Sequence, residues 1–567
     1  MVGEASYSQE TPLDDSGEER KCQAQVLCEL AAGLELFSSP TGEPFASIAV
    51  EDHLETWPLR SRHVRHWLVR KFYQKFSRPP GGQAVSDALN VLEARALYEG
   101  EIEEVYCRVA GNSEVSWYDQ GDPDWHIVEI DSSGWRYALG TPARFQRNSG
   151  MLPLCSPVTG GWLHDLRQFF PVDDAGWKLL VAFMTMALRP KGPYPILQLH
   201  GEQGSGKSTV ARLLRLLIDP NSAPLRAEPR NSRDLMIAAR NSWLLTFDNL
   251  SAIRPWLSDA LCRLSTGGGF STRQLYSDSE ELIINVMRPV VLTGIEELGN
   301  CGDLLERSIL LELAPIEETT RVPEESLYRE FNSSRAKLIG SILDTLSAGL
   351  GALPHVEAHR LPRMADFARW GIALERPLGW QPGSFLEAYA GNQADSHYLS
   401  LDGDPVAEGL HELLKGRESW EGTVSELLRQ LGQVLPETVR QHRAWPRTAK
   451  GLGGRLKRLA PDLRALGIEI TYQQRTGQRR PVLIRKRPAS LSSLSSLSHL
   501  SSQSATESLD DKDDKCDKFA GASNKPAWAL QATTMKEEAN VSDGVSRDEV
   551  PDERGSTGTE DGDDPDY

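Results

Sequence analysis

Apolar residues recur along this chain in two periods, and the change from one to the other divides it. From about 31 the stretches LELFSS, FASIAV and later WHIVEI have the two-residue alternation or short apolar runs of strands. Between them RSRHVRHWLVRKFYQKFSR (60–78) places Val64, Trp67, Leu68, Phe72 and Phe76 at helical spacing, which predicts a helix over 64–76. PVTGGW (157–162) reads as a linker, and GWKLLVAFMTMAL (176–188) as a buried helix that Pro190 ends. From 194 the pattern turns α/β. PILQLH (195–200) is a short apolar strand, and VARLLRLLI (210–218) a helix with Leu213, Leu214 and Leu217 on one face. WLLTFD (243–248), PVVLTG (289–294) and SILLEL (308–313) are further buried strands. Mostly helical sequence fills 323–400.

The region 420–487 predicts a helix opened by the capping box Thr423–Glu426, with Val424, Leu427, Leu428 and Leu431 along one face. A second helix over about 448–460 turns Leu452, Leu456 and Leu459 inward. Two strands, GIEITYQQ and PVLIRKR, then flank a basic turn at RTGQ. The end of the chain, with SLSSLSSLSHLSSQS (490–504) and an acidic close, offers almost nothing to bury against the entropy of ordering. The expected organisation is a leader over 1–30 and an α+β accessory domain over 31–160. An α/β nucleotide-binding unit with a helical subdomain follows over 161–400, then a basic winged-helix-like domain over 405–487 and a disordered tail over 488–567.

Charge sharpens this picture. The chain of 567 residues has a formal net charge of −18, which taken alone argues against a nucleic-acid partner. The charge is segregated, however. Residues 420–487 hold 15 Lys and Arg against 5 Asp and Glu, whereas 488–567 hold 7 against 18. A basic binding module beside an acidic tail fits that division. The seven cysteines are scattered and form no C-x-x-C pair, which argues against a disulfide framework or a zinc ribbon and fits a reducing cytoplasm. No run of 18 apolar residues occurs, and the first residues lack the basic-then-apolar profile of a signal peptide.

The candidate chemistry begins at GEQGSGKS (201–208), which satisfies G-x-x-x-x-G-K-[ST] at every fixed position. Gly201, Glu202, Gln203, Gly204, Ser205 and Gly206 would wrap phosphate with backbone N–H groups. Lys207 would reach the β- and γ-phosphates, Ser208 would offer its hydroxyl to Mg²⁺, and Thr209 would follow in the first helical turn. ATP and Mg²⁺ are therefore the expected cofactors. Such a loop needs an acid at the end of a neighbouring strand. Asp248, closing WLLTFD, is the candidate and would share the metal with Ser208. Asn249 stands where many hydrolysing motors have a second carboxylate, and an amide cannot act as a base. Either Asn249 only orients the water, another carboxylate such as Glu296 or Glu297 serves, or hydrolysis is slow. Thr293 at a strand tip would sense the γ-phosphate, and Arg307 before the next strand could reach a neighbouring subunit's nucleotide.

These elements, in this order, resemble the superfamily 3 helicase module of AAA+ proteins, in the form carried by phage- and plasmid-type primase–helicases. The resemblance covers roughly 160–400 and, with the basic domain, extends to about 487. It implies an AAA+ P-loop core, Gly201–Ser208 as Walker A, Asp248 as Walker B, Thr293 as sensor 1 and Arg307 as an arginine finger in a homo-oligomeric ring. It also implies ATP hydrolysis coupled to DNA unwinding in replication. TGGGFSTRQLYSDSE (266–280) occupies the place of the DNA-contacting region, with Arg273 and Tyr276 as candidates. Asn249 and Thr293 depart from the family pattern, which more often has an acid and Asn there.

DNA contacts from the basic domain are expected from Lys450, Arg455, Lys457, Arg458, Arg479 and Arg480, through backbone phosphates more than base edges. In the 60–78 stretch Arg62, Arg65, Arg70, Lys71 and Lys75 should face solvent, and no acid interrupts the run, so DNA binding is open there too. Its aromatics at helical spacing read first as core. Asp119, Asp122 and Asp124 in WYDQGDPDW could suggest paired carboxylates for a polymerising centre, but Gly and Pro there read as a turn. The competing function is an ATP-gated DNA-binding regulator or replication initiator with little turnover, which Asn249 favours.

Overall fold

The computed structural model describes residues 21–138, 140–273, 281–284, 286–294, 302–316, 319, 321–358, 361–401, 404–442, 444–474 and 480–486. The sequence-predicted leader 1–30 ends in structure: α1 (Gln23–Leu30) buries Leu27 and packs on α3. Then come β1 (Glu35–Ser38), β2 (Pro44–Val50), β3 (His53–Pro58), α2 (Arg62–Phe76), α3 (Gly82–Tyr98) and β4 (Glu101–Ile102). The strands form a sheet in the order β3-β2-β1-β4, and the three helices cover it. Its core runs from Leu27 to Ala96 and includes Val64, Leu68 and Phe72 of α2.

A second set of strands follows: β5 (Val105–Tyr106), β6 (Val109–Gly111), β7 (Ser116–Asp119), β8 (Ile127–Asp131), β9 (Gly134–Ala138) and β10 (Arg144–Phe145). Strands β6 to β9 form an antiparallel meander. The predicted accessory domain 31–160 is therefore not one body around one core. Val109, Tyr118, Val128 and Ile130 of the meander bury themselves with the parallel-sheet unit that follows, in the same cluster as Leu213, Leu217 and Leu346.

That unit contains α4 (Asp174–Met186), β11 (Ile196–His200), α5 (Lys207–Ile218), α6 (Ser232–Asn241), β12 (Leu245–Phe247) and α7 (Pro255–Thr266). The backbone pair β13 (Phe270–Arg273) and β14 (Glu281–Ile284) precedes β15 (Val290–Thr293), α8 (Gly302–Leu305) and β16 (Ser308–Glu312). Four strands make a parallel sheet in the order β12-β15-β11-β16, and Arg226 adds a parallel bridge to Phe247 beyond β12. The central strands are mostly apolar because both faces are covered: Val290, Val291 and Leu292 are fully buried, and buried Gln198 of β11 donates to Ser308 Oγ at 2.7 Å. Next are α9 (Glu324–Ala352), α10 (Ala365–Glu375) and α11 (Ser384–Leu401). By length and composition α9 would suit a membrane span, but its buried side, from Phe331 to Leu350, packs in the common core.

The C-terminal unit consists of α12 (Pro405–Leu413), β17 (Ser419–Thr423), α13 (Val424–Val434), α14 (Glu437–Arg440), α15 (Ala449–Ala465), β18 (Ile468–Tyr472) and β19 (Pro481–Lys486). Thr423 and Glu426 form the capping box expected of α13. The sheet order β17-β19-β18 sets α12, α13 and α15 around one core that includes Leu427, Leu431, Leu452, Leu456 and Ile484. Buried Asp462 of α15 accepts hydrogen bonds from Ser400 Oγ at 2.8 Å and pairs with His397 Nδ1 at 2.8 Å, which fastens this unit to α11.

Candidate functional site

All four parallel strands end on the same side of the sheet, and the glycine loop leaves β11 on that side. Gly206 supplies the backbone that the loop needs. It has φ 84° and serves as N-cap of α5, where no side chain caps the helix. The first N–H groups of a helix have no intrahelical acceptor, so those of α5 can meet an anion. Lys207 Nζ lies across the loop, donating to the carbonyls of Gly201 at 2.7 Å and Glu202 at 2.8 Å. Ser205 is buried within the loop, while Glu202, Gln203 and Gly204 are exposed. Ser208 and Thr209 follow in the first turn of α5 and are half-buried.

Three side chains from three elements converge beside Ser208. Asp248 lies just past β12, and its Oδ1 accepts from Ser208 Oγ at 2.8 Å. The hydroxyl of Thr293, at the tip of β15, donates to the same oxygen. Thr293 Oγ1 in turn accepts from the backbone N–H of Asn249 at 3.1 Å. The strand order explains this convergence. Because β15 lies between β11 and β12, its last side chain is placed between the loop and Asp248. Asn249 is in the left-handed region at φ 56°, a conformation that Asn tolerates well. Gly294 must stay glycine, since a Cβ there would come within 2.7 Å of Asn249 Cα.

Hydroxyl and carboxylate oxygens of this kind suit Mg²⁺, which takes few protein ligands and completes its octahedron with water and phosphate oxygens. The donor set therefore fits a magnesium nucleotide held by Ser208 and Asp248. His200, closing β11, is mostly buried. Burial and the nearby Lys207 push its imidazole down to about 4, so the base of the loop gains no second positive charge near neutral pH.

Arg307 stands at the opposite end of the sheet. Its carbonyl accepts from Ile196 N, at the start of β11, whereas the loop begins after His200. One strand of five residues spans about 16 Å, so this guanidinium cannot serve its own loop. It donates to the carbonyl of Asp303 at 2.7 Å and pairs with that carboxylate at 3.3 Å. Glu296 and Glu297 lie outside the described residues. The structure instead draws out a carboxylate that sequence reasoning passed over. Arg226 pairs with Phe247 through an isolated parallel bridge, and Glu228, two residues further along that segment, lies 3.3 Å from Arg254 Nε. One isolated glutamate in an irregular stretch gave no periodic signal.

Of the nucleic-acid candidates, Lys450, Lys457 and Arg458 project from α15 into solvent without a carboxylate partner among the described residues. Arg480 is exposed and lies over the Tyr472 ring at 5.6 Å. Arg455 departs from the expectation. Its Nε donates to Asp404 at 2.8 Å, and that carboxylate, almost wholly buried, also caps α12. A cation needed to neutralise a buried acid is not available to phosphate. Arg273 closes β13, its backbone paired with Glu281, while Tyr276 and Arg479 lie outside the described residues.

The aspartates of WYDQGDPDW are structural. Asp119 is fully buried against Arg147, and Asp122 caps the backbone of His126 and pairs with its Nδ1 at 2.6 Å. Among the described residues no group of three or more His, Cys, Asp or Glu is placed to hold a metal alone.

Two family models match this chain. Residues 166–395 match the actinomycete integrative conjugative element replication protein, and residues 406–502 match the AICE RepA C-terminal domain. The boundary between them falls between α11 and α12, where the C-terminal unit begins. No curated protein matches the chain. Among solved structures it is similar to the A form apo structure of the NrS-1 C terminal region, at 12% identity and TM-score 0.36, over 82% of this chain and 99% of that one. The apo structure of NrS-1 C terminal region 305–718 follows at 11% identity and TM-score 0.33, over 82% and 100%. Likeness at these values carries no functional argument. Over 166–395 and 406–502, then, the chain is similar to replication proteins of actinomycete integrative conjugative elements.

Proposed function

We propose that this chain is an ATP-hydrolysing DNA motor of the superfamily 3, AAA+ helicase type, acting in replication of a mobile element. The observation that carries the reading is the convergence of Ser208, Asp248 and Thr293 beside a glycine loop that opens α5. In this reading the loop N–H groups and Lys207 hold the triphosphate, while Ser208 and Asp248 hold Mg²⁺, which supplies charge neutralisation at the phosphates. Thr293 keeps Asp248 oriented from the adjacent strand and offers a polar contact near the γ-phosphate. Arg307, too far from its own loop, acts on a neighbour's nucleotide, so the active form is a ring of identical subunits. The α–β–α–α–α–β–β order of 405–486 supports a winged helix, with Lys450, Lys457 and Arg458 on DNA phosphates. The two family matches support replication as the setting.

The test is steady-state ATP hydrolysis with and without single-stranded DNA, beside Lys207→Ala. Hydrolysis that DNA stimulates, and that vanishes in Lys207→Ala, is the expected result. Tight ATP binding with negligible turnover in both conditions sinks the motor.

A second reading, an ATP-gated DNA-binding regulator, is favoured by exposed Asn249 in the place of a base. The two separate at Glu228. If Glu228 orients the attacking water, Glu228→Gln lowers turnover by about 100-fold or more while ATP binding persists. If the native site is set up only to bind, Glu228→Gln changes nothing and Asn249→Asp raises turnover.

A further inference from the structure

The motor reading leaves α2 without a task, although α2 carries the least compensated charge among the described residues. Between residues 60 and 78 there is no Asp or Glu. Val64, Leu68 and Phe72 point into the core of the first sheet, which fixes the other faces outward. Arg62, Arg65, Arg70, Lys71, Lys75 and Arg78 are all exposed, and none has a carboxylate within ion-pair distance among the described residues. That differs from the rest of the N-terminal region, where Arg60 pairs with Glu93, Arg95 with Glu99, Arg136 with Asp131 and Arg144 with Glu103.

The aromatics of α2 do not all serve the core. Tyr73 is 56% exposed and Phe76 37%. With Arg62, Arg65 and Val69 they fall at steps of three and four residues, which puts two partly open rings on one stripe with two arginines, Lys75 Nζ lying over the Phe76 ring at 5.6 Å, and Arg70 flanks it. The helix has 15 residues and so a length of about 22 Å, enough for several phosphates of an extended strand. Cations that track a backbone, with rings on which bases can stack, are what a single strand needs and a duplex cannot use fully, since its bases are already stacked.

We infer that the outer face of α2 is a binding site for single-stranded DNA, with Arg62, Arg65 and Arg70 on phosphates and Tyr73 and Phe76 under bases. It deepens the DNA-acting reading above and rests on it for the choice of ligand, but it needs neither ATP nor hydrolysis. The only other polyanion the chain itself offers is its acidic end, 488–567, which has no bases to stack on exposed rings.

The experiment is equilibrium binding of labelled oligo(dT) to the full chain by fluorescence anisotropy across a range of salt concentrations. Wild type is compared with Arg62→Gln/Arg65→Gln/Arg70→Gln, with Tyr73→Ser and with Lys207→Ala. Loss of three phosphate contacts should lower the slope of log K against log salt by about 2. Tyr73→Ser should weaken binding about tenfold with the slope unchanged. Lys207→Ala should bind as wild type, which separates this inference from failure of the ATPase reading. Circular dichroism of the triple variant checks that the exposed substitutions leave the fold intact. An unchanged slope and affinity in the triple variant overturns the inference and leaves the face to an acidic partner. Equal losses on a blunt duplex and on oligo(dT) overturn the single-strand assignment.

Discussion

Arg108 and Arg65 lie 43 positions apart, and the chain uses their shared guanidinium chemistry in opposite ways. Arg108 is fully buried. Its Nε donates to Asp219 at 3.0 Å, and its other nitrogens reach the carbonyls of Asp119, Leu152 and Pro220. Arg215 donates to the other oxygen of Asp219 at 2.9 Å, and the backbone N–H groups of Trp243 and Leu244 donate there too. Burial works against the Asp219 charge, yet Arg215 and Arg108 hold its carboxyl below the usual range. This knot joins the meander, the end of the loop helix α5 and the start of the strand that leads to Asp248. Tyr118 adds to it by donating to the carbonyl of Ile218 at 2.5 Å. Arg65 has no such partner among the described residues. Where a guanidinium is enclosed and satisfied it specifies structure, and where it is left open it is available to a ligand.

The sharpest way to break that contrast is Asp219→Ala. It strands two buried guanidinium groups and should cost about 3–5 kcal/mol in denaturant unfolding. A cost below about 1 kcal/mol would show that the knot is not closed in solution. Asp404→Ala should come next, since it removes both the cap of α12 and the partner of Arg455, at about 2 kcal/mol. His200 sharpens the comparison from another side. Its imidazole titrates near 4 in the folded chain and near 6.5 when unfolded, so the unfolded chain takes up more protons between those values. Stability from this group is complete above about pH 6.5 and declines as pH falls towards 4, by on the order of 1 kcal/mol given its partly open edge. Thermal melts of His200→Asn across that window should show a flatter profile than wild type. The smallest effect belongs to Arg62→Gln/Arg65→Gln/Arg70→Gln, which should move stability by less than about 0.5 kcal/mol. A large loss would mean that these residues are structural after all.

The glycine loop and its neighbours were legible because they are written in short range. PILQLH, WLLTFD, PVVLTG and SILLEL are apolar runs of strand length, and the loop has fixed residue types at fixed spacing. The capping box of α13 was readable for the same reason. The division at 160 failed because no local signal marks where the meander finds its core. Arg108 meets Asp219 across 111 positions, and Tyr118 meets Ile218 across 100. Arg455 misled in the same way. Its basic neighbours suggested a shared face, and only the fold brought Asp404 to it, 51 residues earlier in the chain. Phe76 was read as core from its spacing, but in the last turn of α2 it packs on Phe72 with ring centroids 4.7 Å apart and stays partly open.

The core shared by the meander and the parallel-sheet unit bears on how such genes could be shuffled. An exchange that kept the parallel-sheet unit and replaced everything before 160 would remove Val109, Tyr118 and Ile130 from the core they share with Leu213, Leu217 and Leu346. A crossover near residue 103, between β4 and β5, would keep that core and trade the leading sheet with its basic helix, at the loss of the Arg144–Glu35 and Arg240–Glu43 ion pairs. Mosaic relatives should therefore vary ahead of β5 and keep the meander with the parallel sheet, inherited as one piece.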